Sequence, residues 1–223
     1  SVEISSCSAK LGAGIFIANH EYPNNFVDLK NTFIFNNQSS ENGGGIHLFG
    51  GDLFIDKSNI SNNSSNSNGG AIYVNDGTLN ISNSVIENNF SNSKGAGISL
   101  NNTNYSQISN LSILNNNSES LGGGIYLSNA DTQISFSLIK DNIAGSGAGI
   151  FIDDDSSPII NNITMYNNIA EGFYIFNGTS YGGGIACYHG GYPVIRNSII
   201  WNNFPQQIDL VHHDQNHPGL NIS

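Results

Sequence analysis

The sequence has few basic residues, few charges altogether and no long apolar segment. Lys and Arg together number 6 in 223 residues, against 17 Asp and Glu, so the formal net charge is −11 at pH 7. So few basic groups cannot neutralise a phosphate backbone, and we therefore expect no nucleic-acid partner. No apolar run approaches the roughly 18 residues that a transmembrane helix requires, so we expect no membrane-spanning helix.

Cysteine is also scarce. Cys7 and Cys187 are the only two cysteines, which is too few for a disulfide framework. Only 10% of the residues are charged, whereas about 25% is typical of globular domains. Asparagine and glycine are abundant instead, with 37 and 26 residues. An acidic surface with so little basic charge suits the extracellular space, and we expect a secreted or cell-surface protein.

An internal repeat runs through the chain. A pair of residues that ends in asparagine recurs at regular intervals. The second members of the pairs are Asn37, Asn63, Asn89, Asn116, Asn142, Asn168 and Asn203. The steps between them are 26, 26, 27, 26, 26 and 35 residues. A fixed period of this length is typical of solenoid proteins, in which each repeat buries its apolar face against its neighbours.

Each repeat has the pattern of short strands joined by tight turns. The segment Ile81-Ser82-Asn83-Ser84-Val85-Ile86 is one example, and the run Gly69-Gly70-Ala71-Ile72 begins another. Alternation with a period of two, interrupted by Gly and Asn, indicates β-strands. We therefore predict an all-β fold, a right-handed parallel β-helix with three sheets and about seven to eight coils. Residues 1–223 would form a single domain with an inserted loop at 169–181.

The asparagine that ends each pair has a predicted structural role. At a tight turn, an inward asparagine can use both halves of its amide to bond the coils above and below it. Asparagine also tolerates the left-handed backbone that such turns require. The seven pairs therefore predict an Asn ladder along the solenoid.

Two short motifs carry a resemblance to known families. Gly69-Gly70-Ala71-Ile72 and Phe33-Ile34-Phe35-Asn36 resemble repeats of chlamydial polymorphic outer-membrane proteins. The coil at 195–203, followed by Gln207-Ile208, is similar to coils of large secreted bacterial β-helix repeat proteins. Nearly the whole chain resembles the pectin-lyase-like right-handed β-helix superfamily. The resemblance leaves two functions open: a non-catalytic surface, adhesin-like or fibre-forming segment, or a polysaccharide lyase or glycoside hydrolase.

In that superfamily, catalytic groups commonly project from one sheet, which the resemblance assigns to the strands after the Gly-Gly-Ile runs. The outward positions of these strands form a row: Phe16, His47, Tyr73, Ser99, Tyr126, Phe151 and Ala186. A lyase needs a base and cationic groups, and a hydrolase needs two acids. Because the row holds no carboxylate, Lys or Arg, we expect a non-catalytic protein. Its aromatic residues either pack as a ladder or stack on sugar rings.

One end of the predicted solenoid is richer in candidate site residues. The inserted loop and the following coil bring aromatic residues towards Phe151 and the acidic turn at 153–155. We expect a groove there that binds a cell-surface or extracellular polysaccharide; the alternative is a loop that only packs on the sheet. The predicted ligand-binding residues are Phe151, Phe173, Tyr174, Phe176, Tyr181, Tyr188 and Tyr192.

The acidic turn has two further interpretations. Asp153, Asp154 and Asp155 offer oxygen ligands for Ca²⁺, the one cofactor that we consider. If the protein is an enzyme, Asp154, Asp155 and His189 are the candidate catalytic residues. A further group of histidines near the C-terminus matches no standard zinc spacing. Its members are His212, His213 and His217.

The two ends of the sequence agree in phase. Ile222 matches the second strand of a coil and Ile4 matches the third, so the end of one copy would continue as the start of another. This phase predicts head-to-tail self-association into a fibre. The alternative is that the sequence is a fragment of a longer chain.

Overall fold

The protein is a solenoid of parallel strands. The computed structural model describes residues 1–18, 26–172, 181–210 and 220–222, and this part of the chain contains 27 strands in three sheets. The strand pairings are parallel and join each coil to the next. The predicted right-handed parallel β-helix with three sheets is therefore confirmed. Within the described ranges, no helix has the length and apolar character that spanning a membrane requires.

The largest sheet, here called the long sheet, has 12 strands in the described part of the chain. They are β3 Ile15–Ala18, β4 Phe26–Lys30, β7 Ile46–Asp56, β10 Ile72–Ser82, β13 Ile98–Ser109, β16 Ile125–Ser135, β19 Ile150–Asp153, β20 Ile159–Asn161, β23 Ile185–Cys187, β24 Val194–Arg196, β26 Ile208–Leu210 and β27 Asn221–Ile222. The longest of these strands bend into two segments. In β7 the bend lies at Gly50 and Gly51, which have φ angles of 75° and 80°.

The other two sheets are made of shorter strands. The middle sheet has eight strands: β1 Val2–Ser5, β5 Thr32–Phe35, β8 Asn59–Ser61, β11 Val85–Glu87, β14 Ser112–Leu114, β17 Leu138–Lys140, β21 Thr164–Tyr166 and β25 Ile199–Trp201. The short sheet has seven: β2 Ser8–Ala9, β6 Gln38–Ser39, β9 Ser64–Ser65, β12 Phe90–Ser91, β15 Asn117–Ser118, β18 Ile143–Ala144 and β22 Ile169–Ala170.

Asparagine forms most corners between the long sheet and the middle sheet. The corner residue has a left-handed backbone, with φ angles of 50° at Asn83, 53° at Asn110 and 54° at Asn162. Asparagine adopts this region at less cost than most residues. Two coils place Lys57 and Phe136 at the same corner, each with a φ of 50°. These two exceptions to the asparagine pattern therefore keep the same backbone conformation.

The core is a stack of inward aliphatic side chains. Ile72, Ile98 and Ile125 pair in register on consecutive coils, and none of them has exposed surface. Burying one such side chain contributes about 1.5–3 kcal/mol. The glycines that precede the column let adjacent coils approach closely. Gly69 has a φ of 68°, and a Cβ at Gly70 would collide with the carbonyl oxygen of Phe90.

The predicted Asn ladder is confirmed. Asn63 Nδ2 donates to Asn89 Oδ1 at 3.1 Å, and Asn89 Nδ2 donates to Asn116 Oδ1 at 2.9 Å. All seven ladder asparagines are at most 4% exposed. At one end Gln207 replaces the next asparagine, since its Oε1 accepts a hydrogen bond from Asn203 Nδ2 at 2.9 Å. The ladder therefore satisfies buried polar groups along the whole solenoid.

Several other expectations can be placed on this fold. Ile4 pairs within the middle sheet and Ile222 within the long sheet, in the predicted registers. Most of the predicted inserted loop at 169–181 lies outside the described residues, which stop at 172 and resume at Tyr181. Cys7 and Cys187 are both free thiols. Burial raises the pKa of the Cys187 thiol to about 12.

Candidate functional site

The predicted outward row on the long sheet forms a continuous column. His47 pairs with Phe16 on one side and Tyr73 on the other. Its ring centroid lies 5.3 Å and 4.9 Å from theirs, and both contacts are edge to face. Further along, the rings of Tyr126 and Phe151 are stacked, with 5.9 Å between centroids. The aromatic residues thus pack as a ladder, one of the two arrangements expected from the sequence.

His47 is an unusual member of this column. It is 5% exposed, and within the described part of the chain neither ring nitrogen makes a hydrogen bond of ordinary geometry, the nearest candidate partner being the Asn42 backbone. Burial lowers the pKa of His47 from 6.5 to about 4, and the Asn42 backbone and the Glu41 carboxylate oppose this only in part. The imidazole is therefore neutral at pH 7.

The predicted ligand-binding residues fall into three groups. Phe151 has no exposed surface, and the Tyr188 ring lies 6.5 Å away, centroid to centroid. This burial does not fit the direct ligand contact that we expected of Phe151. Tyr181 and Tyr188 pack against the same buried cluster, whereas Tyr192 is 45% exposed. Three further predicted residues lie outside the described residues: Phe173, Tyr174 and Phe176.

A polar cluster adjoins this column, and part of it was not expected from the sequence. Its members are Lys94, Tyr126, Asp153, Asp154 and His189. The outward row is uncharged, as predicted, but a second outward row beside it is not. Asp153 follows Phe151 by two residues in β19, so the alternation of that strand already indicated an outward carboxylate. Lys94 reaches the same place from the turn before β13, two coils before Asp153. Asp153 was expected from the sequence as a Ca²⁺ ligand of the acidic turn, whereas Lys94 was not expected because it lies outside the outward row.

Hydrogen bonds connect the polar cluster. Lys94 Nζ donates to the Tyr126 hydroxyl at 2.8 Å and lies 4.6 Å from the centroid of its ring. The Tyr126 hydroxyl in turn donates to Asp153 Oδ2 at 2.9 Å. Burial is the main reason that the pKa of Tyr126 lies far above its ordinary value of 10, and the Asp153 carboxylate raises this pKa further. Tyr126 therefore stays protonated and acts as a fixed hydrogen-bond donor.

The acidic turn and His189 complete the cluster. His189 Nδ1 lies 3.1 Å from Asp153 Oδ1 and 3.8 Å from Asp154 Oδ1. The Asp155 carboxylate lies against Gly190 instead. Of the three residues predicted for Ca²⁺, two therefore converge together with a histidine. Of the three predicted catalytic residues, Asp154 and His189 converge and Asp155 does not.

The cluster is open to solvent on one side. The side chains of Asp154 and His189 are 56% and 46% exposed, whereas that of Asp153 is 9% exposed. A cavity of about 270 Å³ adjoins the cluster and is lined by Asp154, Tyr73 and Lys94 among others. The two exposed groups are accessible to a cation from solvent, while the buried groups hold them in place.

A larger groove, here called the outer groove, has a volume of about 520 Å³. It crosses the outer face of the long sheet at the segments that follow the bends of the long strands, whereas the aromatic column lies on the segments before the bends. Three outward columns from successive coils line it. The columns are Phe26 and Asp52; Asp28, Phe54, Asn80 and Gln107; and Lys30, Asp56, Ser82 and Ser109. Because neighbouring strands lie about 4.8 Å apart, the groups in each column repeat at that spacing.

Two phenylalanines mark one end of the outer groove. Phe26 is 64% exposed and Phe54 is 39% exposed, and their rings meet edge to face with 5.9 Å between centroids. Exposed apolar rings next to polar groups are typical of binding surfaces. Strand alternation already indicated one of these two rings. Phe54 is an aromatic residue at an outward position, between the inward Leu53 and Ile55.

The outer groove is mainly acidic and its charges are well bonded. Lys30 Nζ pairs with Asp28 Oδ2 at 2.6 Å. Asp56 Oδ1 accepts hydrogen bonds from Asn83 Nδ2 at 2.7 Å and from Ser82 Oγ at 2.9 Å. These two bonds lower the pKa of Asp56, so this carboxyl group is ionised at neutral pH.

The comparisons with known proteins agree with this architecture. The family model for the right-handed β-helix region matches residues 53–221, most of the chain. No curated protein and no solved structure matches the chain. The match includes six of the seven ladder asparagines and the whole polar cluster around Asp153. The chain therefore belongs to the right-handed β-helix family, in agreement with its resemblance to the pectin-lyase-like superfamily.

Proposed function

We propose that this protein is a non-catalytic β-helix that binds an uncharged polysaccharide along the outer groove, as a secreted or cell-surface structural segment. The observation that carries the proposal is the outer groove itself. It combines two exposed phenylalanine rings with polar side chains that repeat from coil to coil. The proposal places the binding site here and not in the groove near Phe151 that we expected from the sequence, because Phe151 has no exposed surface.

The polar columns suit the hydroxyl groups of a sugar chain. The amides of Asn80 and Gln107 follow one another on adjacent coils and can each donate and accept hydrogen bonds. Ionised Asp56 is an acceptor for hydroxyl donors. Because the columns run along the solenoid axis, they form a straight track that suits a linear polymer better than a compact ligand.

The charge of the outer groove favours an uncharged polymer over a uronate. Asp28, Asp52 and Asp56 line it, and Lys30, the basic residue among the lining groups, already pairs with Asp28. A polymer with a carboxylate on every sugar would meet like charges at close range. The net charge of −11 acts in the same direction at longer range.

A non-catalytic role is supported by the state of Asp56. Glycoside hydrolysis requires one carboxyl group that is protonated and acts as a general acid. The hydrogen bonds from Asn83 and Ser82 lower the pKa of Asp56 and favour its ionised form. This carboxyl group therefore suits binding and not acid catalysis.

The proposal is tested by electrophoresis in native gels that contain galactomannan, hydroxyethylcellulose or polygalacturonate. We expect at least one of the two uncharged polymers to slow the protein and polygalacturonate to leave its mobility unchanged. The substitution Phe54→Ala should weaken the interaction by at least about tenfold, because it removes a large exposed apolar contact.

The matched control is Phe33→Ala. Phe33 is 44% exposed and lies on the middle sheet, away from the outer groove. This variant should bind like the unaltered protein. The proposal is wrong if neither uncharged polymer slows the unaltered protein, or if Phe54→Ala binds as well as Phe33→Ala does. Turnover of any of the three polymers would contradict the non-catalytic part.

A further inference from the structure

Three side chains with metal-binding atoms converge at the end of strand β19. One carboxylate oxygen of Asp153, one of Asp154 and a ring nitrogen of His189 all lie within 4.8 Å of one another. The first two residues belong to one coil and the third to the next, so the fold itself brings them together. We propose that these three side chains form a binding site for a divalent transition metal ion of the Zn²⁺ type.

The distances fit a common metal ion. Zn²⁺ binds nitrogen and oxygen ligands at about 2.0–2.2 Å, so two ligands at a tetrahedral angle are about 3.4 Å apart. His189 Nδ1 lies 3.1 Å from Asp153 Oδ1 and 3.8 Å from Asp154 Oδ1, values on either side of that separation. The two carboxylate oxygens lie within 4.8 Å of each other, so side-chain rotations that bring them closer would place all three atoms around one ion.

Neighbouring hydroxyl groups hold the two carboxylates in the required orientation. The Tyr126 hydroxyl donates to Asp153 Oδ2 at 2.9 Å, and Ser128 Oγ donates to Asp154 Oδ2 at 2.7 Å. In each carboxylate the other oxygen, Oδ1, is the one that faces His189. Such outer hydrogen bonds to ligating groups are characteristic of protein metal sites and strengthen binding.

Burial and charge provide a second argument. The Asp153 side chain is only 9% exposed. Its Oδ2 accepts a hydrogen bond from the Tyr126 hydroxyl and its Oδ1 accepts one from the Asp154 N–H at 3.1 Å, and these bonds offset only part of the cost of burying its charge. Among the described residues, its ion-pair partner is His189, which carries a charge only when protonated. Lys94 is hydrogen-bonded to Tyr126 instead. A bound metal ion would supply the missing positive charge next to Asp153.

The donor set distinguishes this site from the Ca²⁺ site expected from the sequence. Ca²⁺ takes six to eight oxygen ligands, whereas imidazole nitrogen favours Zn²⁺ and related ions. Asp155, the third member of the expected Ca²⁺ site, is directed towards Gly190. Three protein ligands with Asp154 and His189 half-exposed would leave at least one coordination position open to solvent.

Isothermal titration calorimetry with ZnCl₂, CaCl₂ and MgCl₂ tests the proposal. The C-terminal histidines could bind Zn²⁺ separately, so the reference protein is the full chain with these three histidines changed to alanine. They are His212, His213 and His217. We expect one Zn²⁺ per reference chain, bound at least about tenfold more tightly than Ca²⁺ or Mg²⁺.

Two further variants of the reference chain decide which side chains bind. His189→Ala changes a half-exposed residue and should weaken Zn²⁺ binding by at least about tenfold. Asp155→Asn alters the neighbouring carboxylate in the same turn and should leave binding unchanged. Co²⁺ added to the reference chain should give a visible absorption spectrum that His189→Ala abolishes. The proposal is overturned if the reference chain binds no Zn²⁺, if it prefers Ca²⁺, or if His189→Ala binds Zn²⁺ as the reference chain does.

Discussion

Replacing Asn116 with alanine is expected to lower the free energy of unfolding by about 3 kcal/mol or more. Its side chain donates to Ile86 O at 3.1 Å and to Asn142 Oδ1 at 3.0 Å. It accepts from Asn89 N at 3.1 Å and from Asn89 Nδ2 at 2.9 Å. Alanine removes all four bonds and leaves the Asn89 amide and the Ile86 carbonyl buried without these partners. Each such buried group costs about 1–3 kcal/mol.

Chemical denaturation followed by circular dichroism measures this effect, and Asn117→Ala is the matched control. Asn117 is the adjacent asparagine but is exposed, so its substitution should change stability by no more than about 0.5 kcal/mol. Asn116→Asp adds a second comparison, because aspartate keeps the shape but loses the two donated bonds when ionised. If Asn116→Ala were as stable as Asn117→Ala, the ladder would not contribute to stability.

Acidification from pH 6.5 to pH 4 is expected to remove up to about 3 kcal/mol of stability through His47 alone. Burial lowers the pKa of His47 to about 4 in the folded protein, whereas an unfolded histidine titrates near 6.5. Above pH 6.5 the imidazole is neutral in both states, so the full stability is present. Between pH 6.5 and pH 4 the unfolded state binds a proton that the folded state does not, and stability falls. Below pH 4 both states are protonated and the loss is complete.

The variant His47→Phe isolates this contribution. Phenylalanine keeps an aromatic ring between Phe16 and Tyr73 and removes both buried nitrogens that lack hydrogen-bond partners. The free energy of unfolding, measured at half-unit steps from pH 7 to pH 4, should therefore depend less on pH in the variant. The variant should also be more stable at pH 7, because position 47 no longer buries polar atoms that lack hydrogen bonds. Equal pH dependence in both proteins would show that His47 does not titrate as we infer.

Most of the fold could be predicted because its signals repeat. The Gly-Gly-Ile runs and the asparagine pairs mark the same positions in each coil, at a usual step of 26 residues. The structure pairs these equivalent positions between adjacent coils. Even the exceptions follow the rule, since Lys57 and Phe136 adopt the left-handed backbone of the asparagines that they replace. A repeated pattern is strong evidence because each coil tests it again.

The candidate sites were harder to predict, for two different reasons. Phe54 was visible as an outward residue from strand alternation but was not among the predicted site residues, whereas Asp153 was predicted only as part of a Ca²⁺ site. The convergence of Asp153 and His189 could not have been read from the repeat, because 36 residues separate them in sequence. One coil there carries the insertion, so the usual step of 26 does not apply. Their contact depends on side-chain orientation and on two turns in adjacent coils, with φ angles of 46° at Asp154 and 39° at His189.

By itself, the sequence determined how the chain winds: the length of a coil, the inward aliphatic columns and the asparagines that bond one coil to the next. It could do so because side-chain direction in a strand follows from position alone, and the position repeats. Only the tertiary structure decided which outward side chains contact one another. It buries Phe151, and it brings the side chains of Asp153, Asp154 and His189 together in one cluster. These contacts depend on turns of unequal length and on side-chain rotation, and neither of these is encoded in the repeat.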